Sequence, residues 1–151
     1  MREKKIKHIK IIRGVDYDAD LSDYGKFSNS EGEYSIKHNG GNNSYRYFNA
    51  ENVYNMEEAR ENYERVMSYE RGEWYSMYIK AEATLYTSCH ENSWLINKIH
   101  SGGVYGYESD GDEDYLKDEE NSQLNELKDV LLTLGFTDDE IKNAEVIRDY
   151  K

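Results

Sequence analysis

The fold turns on one stretch, Trp74-Tyr75-Ser76-Met77-Tyr78-Ile79-Lys80-Ala81-Glu82-Ala83-Thr84-Leu85-Tyr86. Tyr75, Met77, Ile79, Ala81, Ala83 and Leu85 fall on one side of a period-two alternation, while Ser76 and Glu82 are more polar. Alternation of this length marks a half-buried strand, because successive side chains point to opposite faces. On the C-terminal side, a polar turn at His90 to Ser93 leads to Trp94–His100, the expected antiparallel partner. Gly102-Gly103 should break or bulge that strand before Val104 to Tyr107. On the N-terminal side, Lys5 to Arg13 sets Ile9 and Ile11 against Lys10 and reads as another strand. Tyr34–Lys37 and Ser44–Asn49 are shorter candidates, joined by a turn at Gly40-Gly41-Asn42-Asn43 into a hairpin. Between Asp16 and Gly25 the chain is polar and turn-rich, with one helical turn expected at Leu21 to Tyr24.

Helices complete the pattern. Asn55 is an N-cap, Glu58 stands at the capping-box position and Gly72 lies beyond the end, which predicts a helix from Asn55 to Tyr69. Its core face would be Ala59, Tyr63, Val66 and Met67. Leu116–Leu134 reads as a long helix with Leu124, Leu127, Leu131 and Leu134 as its seam and Gly135 closing it. Thr137 with Glu140 starts a short final helix bearing Ile141, Ala144 and Ile147. The expected fold is α+β, a single domain over 1–151. Its antiparallel sheet of about four strands packs with two longer helices and a short C-terminal helix.

Composition narrows the function. The chain has 151 residues, with 19 Lys and Arg against 31 Asp and Glu, a net charge of −12. Leu, Ile, Val and Phe supply under a fifth of it, close to the limit for a folded protein. Fifteen Tyr and two Trp compensate, because aromatic rings bury large areas and disordered chains have few. Both Trp74 and Trp94 are expected in the core. No run is apolar enough to span a bilayer or act as a secretion signal, and Cys89 has no disulfide partner, so a cytoplasmic setting is expected. The negative total opposes free-standing DNA binding unless one face is locally basic.

Enzymatic motifs are lacking, and the expectation is a protein with no catalytic residues, cofactor or metal. Asp110, Asp112 and Asp114 have calcium-loop spacing, but Tyr115 and Asn121 stand where Gly and Glu are required. Asp16, Asp18 and Asp20 fail at Leu21 and Phe27. Adjacent Cys89 and His90 would point to opposite faces of a strand. Ser101-Gly102-Gly103 offers backbone N–H groups to an anion, yet lies just upstream of acids that would repel a phosphate.

Charge is segregated along the chain. Residues 2–13 carry six basic side chains against Glu3, and residues 108–120 carry eight acids against Lys117. If extended, Asp110, Asp112 and Asp114 would project carboxylates on one side about 6.6 Å apart. Asp118 and Glu119, with Glu120 beside them, continue the array on the first turns of a helix, where the macrodipole favours acids. A solvated helix N-terminus is the bland explanation. The sharper one is a partner-binding surface of Tyr105, Tyr107, Glu108, Asp110, Asp112, Glu113, Asp114, Asp118 and Glu119, facing the basic surface of a nucleic-acid-handling protein.

Several segments resemble a family of small acidic proteins carried by phages and mobile elements. They are Asp20-Leu21-Ser22, Tyr45-Arg46-Tyr47-Phe48, Gly72-Glu73-Trp74, Ala81-Glu82-Ala83 and above all Ser101-Gly102-Gly103-Val104-Tyr105-Gly106-Tyr107-Glu108-Ser109-Asp110. The family pattern more often has Leu-Trp-Gly-Ile at 104–107, and the likeness runs from residue 16 to Phe136. The resemblance implies a phage-type accessory protein. By analogy, it implies an anti-CRISPR inhibitor that binds a Cas9-type effector with its guide RNA and blocks DNA binding or nuclease-domain movement. The alternatives are an accessory protein that binds another host protein, as regulator or assembly partner, and a metal-dependent hydrolase.

Overall fold

The structure is a computed structural model describing residues 3–39 and 43–150. It is α+β, with two long helices, one short helix and a predominantly antiparallel main sheet. By proximity the chain divides into two compact units: residues 1–16 with 76–151, and residues 17–75.

The larger unit is built on β5 (Ser76–His90), which contains the alternating stretch. Strand β1 (Lys4–Val15) pairs antiparallel along one edge of it, from Lys4 opposite Thr87 to Val15 opposite Met77. Along the other edge lie β6 (Ser93–His100) and β7 (Val104–Glu108), two antiparallel segments separated at Ser101–Gly103. The expected interruption therefore sits at the two glycines. A further strand, β8 (Val146–Tyr150), pairs parallel to β1, giving the order β6-β5-β1-β8 with β7 beside β5. Neither this strand nor a parallel pair was expected. The short helix α3 (Asp138–Lys142) ends before Ile147, which lies on β8 instead of continuing the helix.

Helix α2 (Glu113–Thr133) covers one face of this sheet. Leu127, Leu131 and Phe136 pack with Ile9, Ala81, Ala83 and Leu85 into the core. The buried line of α2 is Leu116, Glu120, Gln123, Leu127 and Leu131, whereas Leu124 is only half-buried and Leu134 is exposed. The expected leucine seam is thus displaced. Leu127 and Leu131 hold, Leu124 packs only at the core's margin and Leu134 turns out, while Leu116, Glu120 and Gln123 extend the buried line toward the start of the helix.

The second unit holds the sheet β2-β4-β3, from β2 (Gly25–Ser28), β3 (Ser35–Lys37) and β4 (Tyr47–Ala50). The β3–β4 pairing matches the expected hairpin, although residues 40–42 of its turn lie outside the described residues. Helix α1 (Met56–Glu70) begins at Asn55, whose side chain accepts from Glu58 N at 2.8 Å, while Glu58 accepts from Tyr54 N. It buries Ala59 and Val66. In the unit's core, Phe48 stands beside Phe27 and Tyr63, and His38 Nδ1 lies 2.9 Å from the Tyr63 hydroxyl. Trp74 is buried as expected, donating to Arg65 O at 3.0 Å and Ser68 Oγ at 2.9 Å. Trp94 is not buried. It is 43% exposed on the edge strand β6.

Candidate functional site: the acidic start of helix α2

The acidic run divides between structural and outward roles. Asp112 is the N-cap of α2, its carboxylate accepting from Asp114 N at 2.8 Å. Glu113 is clamped by Arg13, which donates from Nη1 at 3.1 Å and from Nη2 at 2.7 Å. That bidentate bond holds the Glu113 carboxyl below its ordinary range. About two turns further along the same side of the helix, Glu120 is only 1% exposed and accepts from Arg13 Nη2 at 2.9 Å. The Tyr150 hydroxyl donates to the same carboxylate at 2.6 Å, and the Arg13 guanidinium lies 4.2 Å from the Tyr150 ring centre. Arg13 is raised well above the usual arginine range, chiefly by Glu113. Part of the predicted acidic array is therefore neutralised from within. Its internal partner is the last charged residue of the basic N-terminal stretch, tying β1, α2 and β8 into one node.

Glu119 is engaged by Tyr107, whose hydroxyl is pushed up to about 12 by burial and by its hydrogen bond to Glu119. The Tyr107 and Tyr115 rings lie 5.8 Å apart. Tyr105 goes elsewhere. Residues two apart in a strand normally share a face, but Met77 pairs with Tyr107 while Ile79 pairs with Val104, so β7 carries an extra residue. Gly106, with φ +85°, takes up that irregularity. Tyr105 consequently stacks on Tyr78, with ring centres 5.7 Å apart on the face away from α2. Glu108 pairs in register with Ser76, and Asp110 lies exposed in the turn before the helix. Asp114 and Asp118, one turn apart, are exposed on the outer side of α2.

The Ser101-Gly102-Gly103 segment does receive an anion, and the chain supplies it. Gly102 N donates to Glu126 Oε1 at 2.8 Å and Gly103 N donates to Gln123 Oε1 at 3.0 Å. Ser101 Oγ accepts from Ala81 N at 3.0 Å, replacing a ladder bond that the break would otherwise forfeit. A Cβ on Gly102 would lie 3.0 Å from the Glu126 carboxylate, so the glycine permits the close approach. Among the described residues, no group of three or more His, Cys, Asp or Glu is placed to hold a metal ion. Nor is any helix among them long and apolar enough to cross a membrane. Cys89 and His90 are both exposed at the end of β5.

Sequence reasoning missed Glu120 and Gln123. The available signal was their spacing: positions 116, 120, 123, 127 and 131 make one helical stripe, in which two polar residues interrupt leucines. Comparison with known proteins finds no matching family model, no similar curated protein and no similar solved structure.

Proposed function

We propose that the chain is a stoichiometric binding protein of phage type. It docks the outer side of α2 onto a basic surface of a nucleic-acid-handling protein and performs no chemistry of its own. The sequence resemblance points to a Cas9-type effector with its guide RNA as that partner, making the chain an anti-CRISPR inhibitor. The observation that supports docking is the display of Asp114 and Asp118 on a helix whose inner side is fixed by Arg13, Glu120 and the leucines. Two outward carboxylates on a rigid helix attract a cationic groove over roughly the 8 Å Debye length of physiological salt. Tyr107 and Glu119, bonded together beside them, add a fixed rim.

The test is inhibition of target-DNA cleavage by a purified effector–guide complex titrated with the chain. Cleavage should be lost at one inhibitor per complex, and the D114K/D118K variant should lose that inhibition. Asp112 and Glu113 are unsuitable for the reversal, since one caps the helix and the other anchors it. Full inhibition by D114K/D118K would overturn the contact assignment. Absence of inhibition, with another host protein recovered on the chain, would transfer the reading to an accessory protein of different target.

A further inference from the structure

The sheet face turned away from α2 has the opposite chemistry. Four aromatic rings lie on it in two pairs: Tyr86 with Trp94, centres 6.3 Å apart, and Tyr78 with Tyr105. Tyr78 and Tyr86 sit eight residues apart in β5, about 26 Å along the strand. Both pairs have ammonium groups alongside. Lys5 Nζ stands 5.6 Å from the Trp94 ring centre, Lys7 Nζ 5.4 Å from Tyr86 and Lys80 Nζ 5.6 Å from Tyr78. Between the pairs, register places Lys10 and Lys98 on the same face, over a strip in which Ile12 and Thr84 are buried. The carboxylates there are fewer. Glu82 is held by Lys98 at 3.8 Å, Glu3 by Lys5 at 3.3 Å, Asp149 lies opposite Ile12, and Glu145 lies close enough to act on His8. A local cationic excess thus faces outward from a chain of net charge −12. His8 lies within the same face, its imidazole pushed down first by burial and then by Lys10 and Lys7, against the opposing pull of Glu145 and Glu82.

The rings are accessible. Tyr105 is 64% exposed, and Trp94 borders a cleft of about 480 Å³ lined by Lys5, Tyr86, Trp94 and Ile96. That volume is within the range of small-ligand sites. We propose that this face binds single-stranded nucleic acid, with one base in the Tyr86–Trp94 cleft, another against Tyr105, and the intervening phosphates met by the lysines. Exposed rings on a basic sheet suit a single strand because its unstacked bases offer π-faces and its backbone offers charge. A duplex hides those faces. The acids elsewhere on the chain repel a phosphate backbone and so confine the strand to this one surface. This satisfies the condition under which a negative protein can still bind nucleic acid. It uses residues apart from Asp114 and Asp118, so it stands or falls independently of the docking reading.

The experiment is fluorescence anisotropy of labelled oligothymidylate and oligouridylate strands titrated with the full chain at low salt, and repeated as salt is raised. Saturable binding that weakens with salt is expected, and the tighter of the two strands identifies DNA or RNA as the preferred ligand. W94A and Y105A should each weaken binding at least about fivefold, the smallest effect of losing one base stack. K5A/K7A should flatten the log–log salt dependence by about 1.4. D114K/D118K should not reduce the affinity. No anisotropy change at low salt, unaltered binding by both W94A and K5A/K7A, or equal affinity for a duplex of the same length would each overturn the proposal.

Discussion

Alternate residues of one strand serve opposite faces of the main sheet. From β1, Ile9, Ile11 and Arg13 point beneath α2, while Lys10 and Ile12 point the other way. The covered face spends its polar groups internally: Arg13, Glu120 and Gln123 are all buried with partners. The face away from α2 buries Ile12 and Thr84 but leaves Trp94, Ile96 and Tyr105 exposed, with lysines alongside. Burial and partnering, more than residue type, separate structural charges from those available to a ligand. The acidic run, which dominates the sequence, is in large part structural. The aromatic and basic residues of the other face, which read as ordinary strand residues, form the less committed surface.

This contrast can be broken most sharply at Glu120. Glu120→Ala leaves the Arg13 guanidinium without its buried partner and should cost about 3–5 kcal/mol of unfolding free energy by urea titration. Replacing both residues, as R13M/E120M, should recover most of that loss, since a buried ion pair adds little over well-packed apolar side chains. A ΔΔG for Glu120→Ala below that of an ordinary surface substitution would show that the node does not organise this face.

Leucine truncation gives the next effect. Leu127→Ala beneath α2 should cost about 2–5 kcal/mol, and Ile96→Ala on the uncovered face should stay within about 0.5 kcal/mol. Equal losses at the two sites would erase the distinction between the faces.

Titration gives smaller effects of known sign. The Glu113 carboxyl is lowered from 4.5 in the folded chain by Arg13, so the folded state takes up its proton less readily than the unfolded state. Its contribution is complete above about pH 4.5 and is lost as pH falls through the lowered value. Glu113→Gln should therefore have a shallower acid decline in urea midpoint than the parent chain. Tyr107 has the opposite sign. Raised from 10.0 to about 12, its hydroxyl keeps its proton in the fold after the unfolded chain would release it. Its contribution is present below pH 10 and disappears as pH rises toward 12, so Tyr107→Phe should flatten the alkaline loss over that window.

Much of the fold was legible because local signals agreed. Asn55 with Glu58 located the start of α1, the alternation from Met77 to Leu85 located β5, and two glycines located the gap between β6 and β7. Legibility ended where distant residues decide. Val146–Tyr150 became a strand by pairing with β1, although Ile141, Ala144 and Ile147 keep a helical spacing across Asn143. Gly25–Ser28 has one apolar side chain, Phe27, and becomes a strand through β4. Trp94 looked like a core residue because it is large and apolar, but β6 is an edge strand and α2 does not cover it. Of the candidate site, Asp118 was expected on the first turns of the helix, but Asp114 was expected in an extended array with Asp110 and Asp112. Asp114 instead lies on α2, which begins at Glu113, three residues before the expected Leu116, because Asp112 caps it. The diversion of Glu113 required knowing that Arg13 lies across the fold. Tyr105 and Tyr107 were parted by a bulge at Gly106, which sequence spacing alone places on neither face.

The second unit leaves the main sheet after Val15 and returns at Ser76, where Asp16 N donates to Ser76 O at 2.8 Å. An excursion whose two ends meet at one backbone bond is an insertion point. Shortening it tenfold would lower the closure cost by about 2 kcal/mol, since that cost grows only with the logarithm of length. A change of length within residues 17–75 therefore adds little to the cost of bringing Asp16 and Ser76 together.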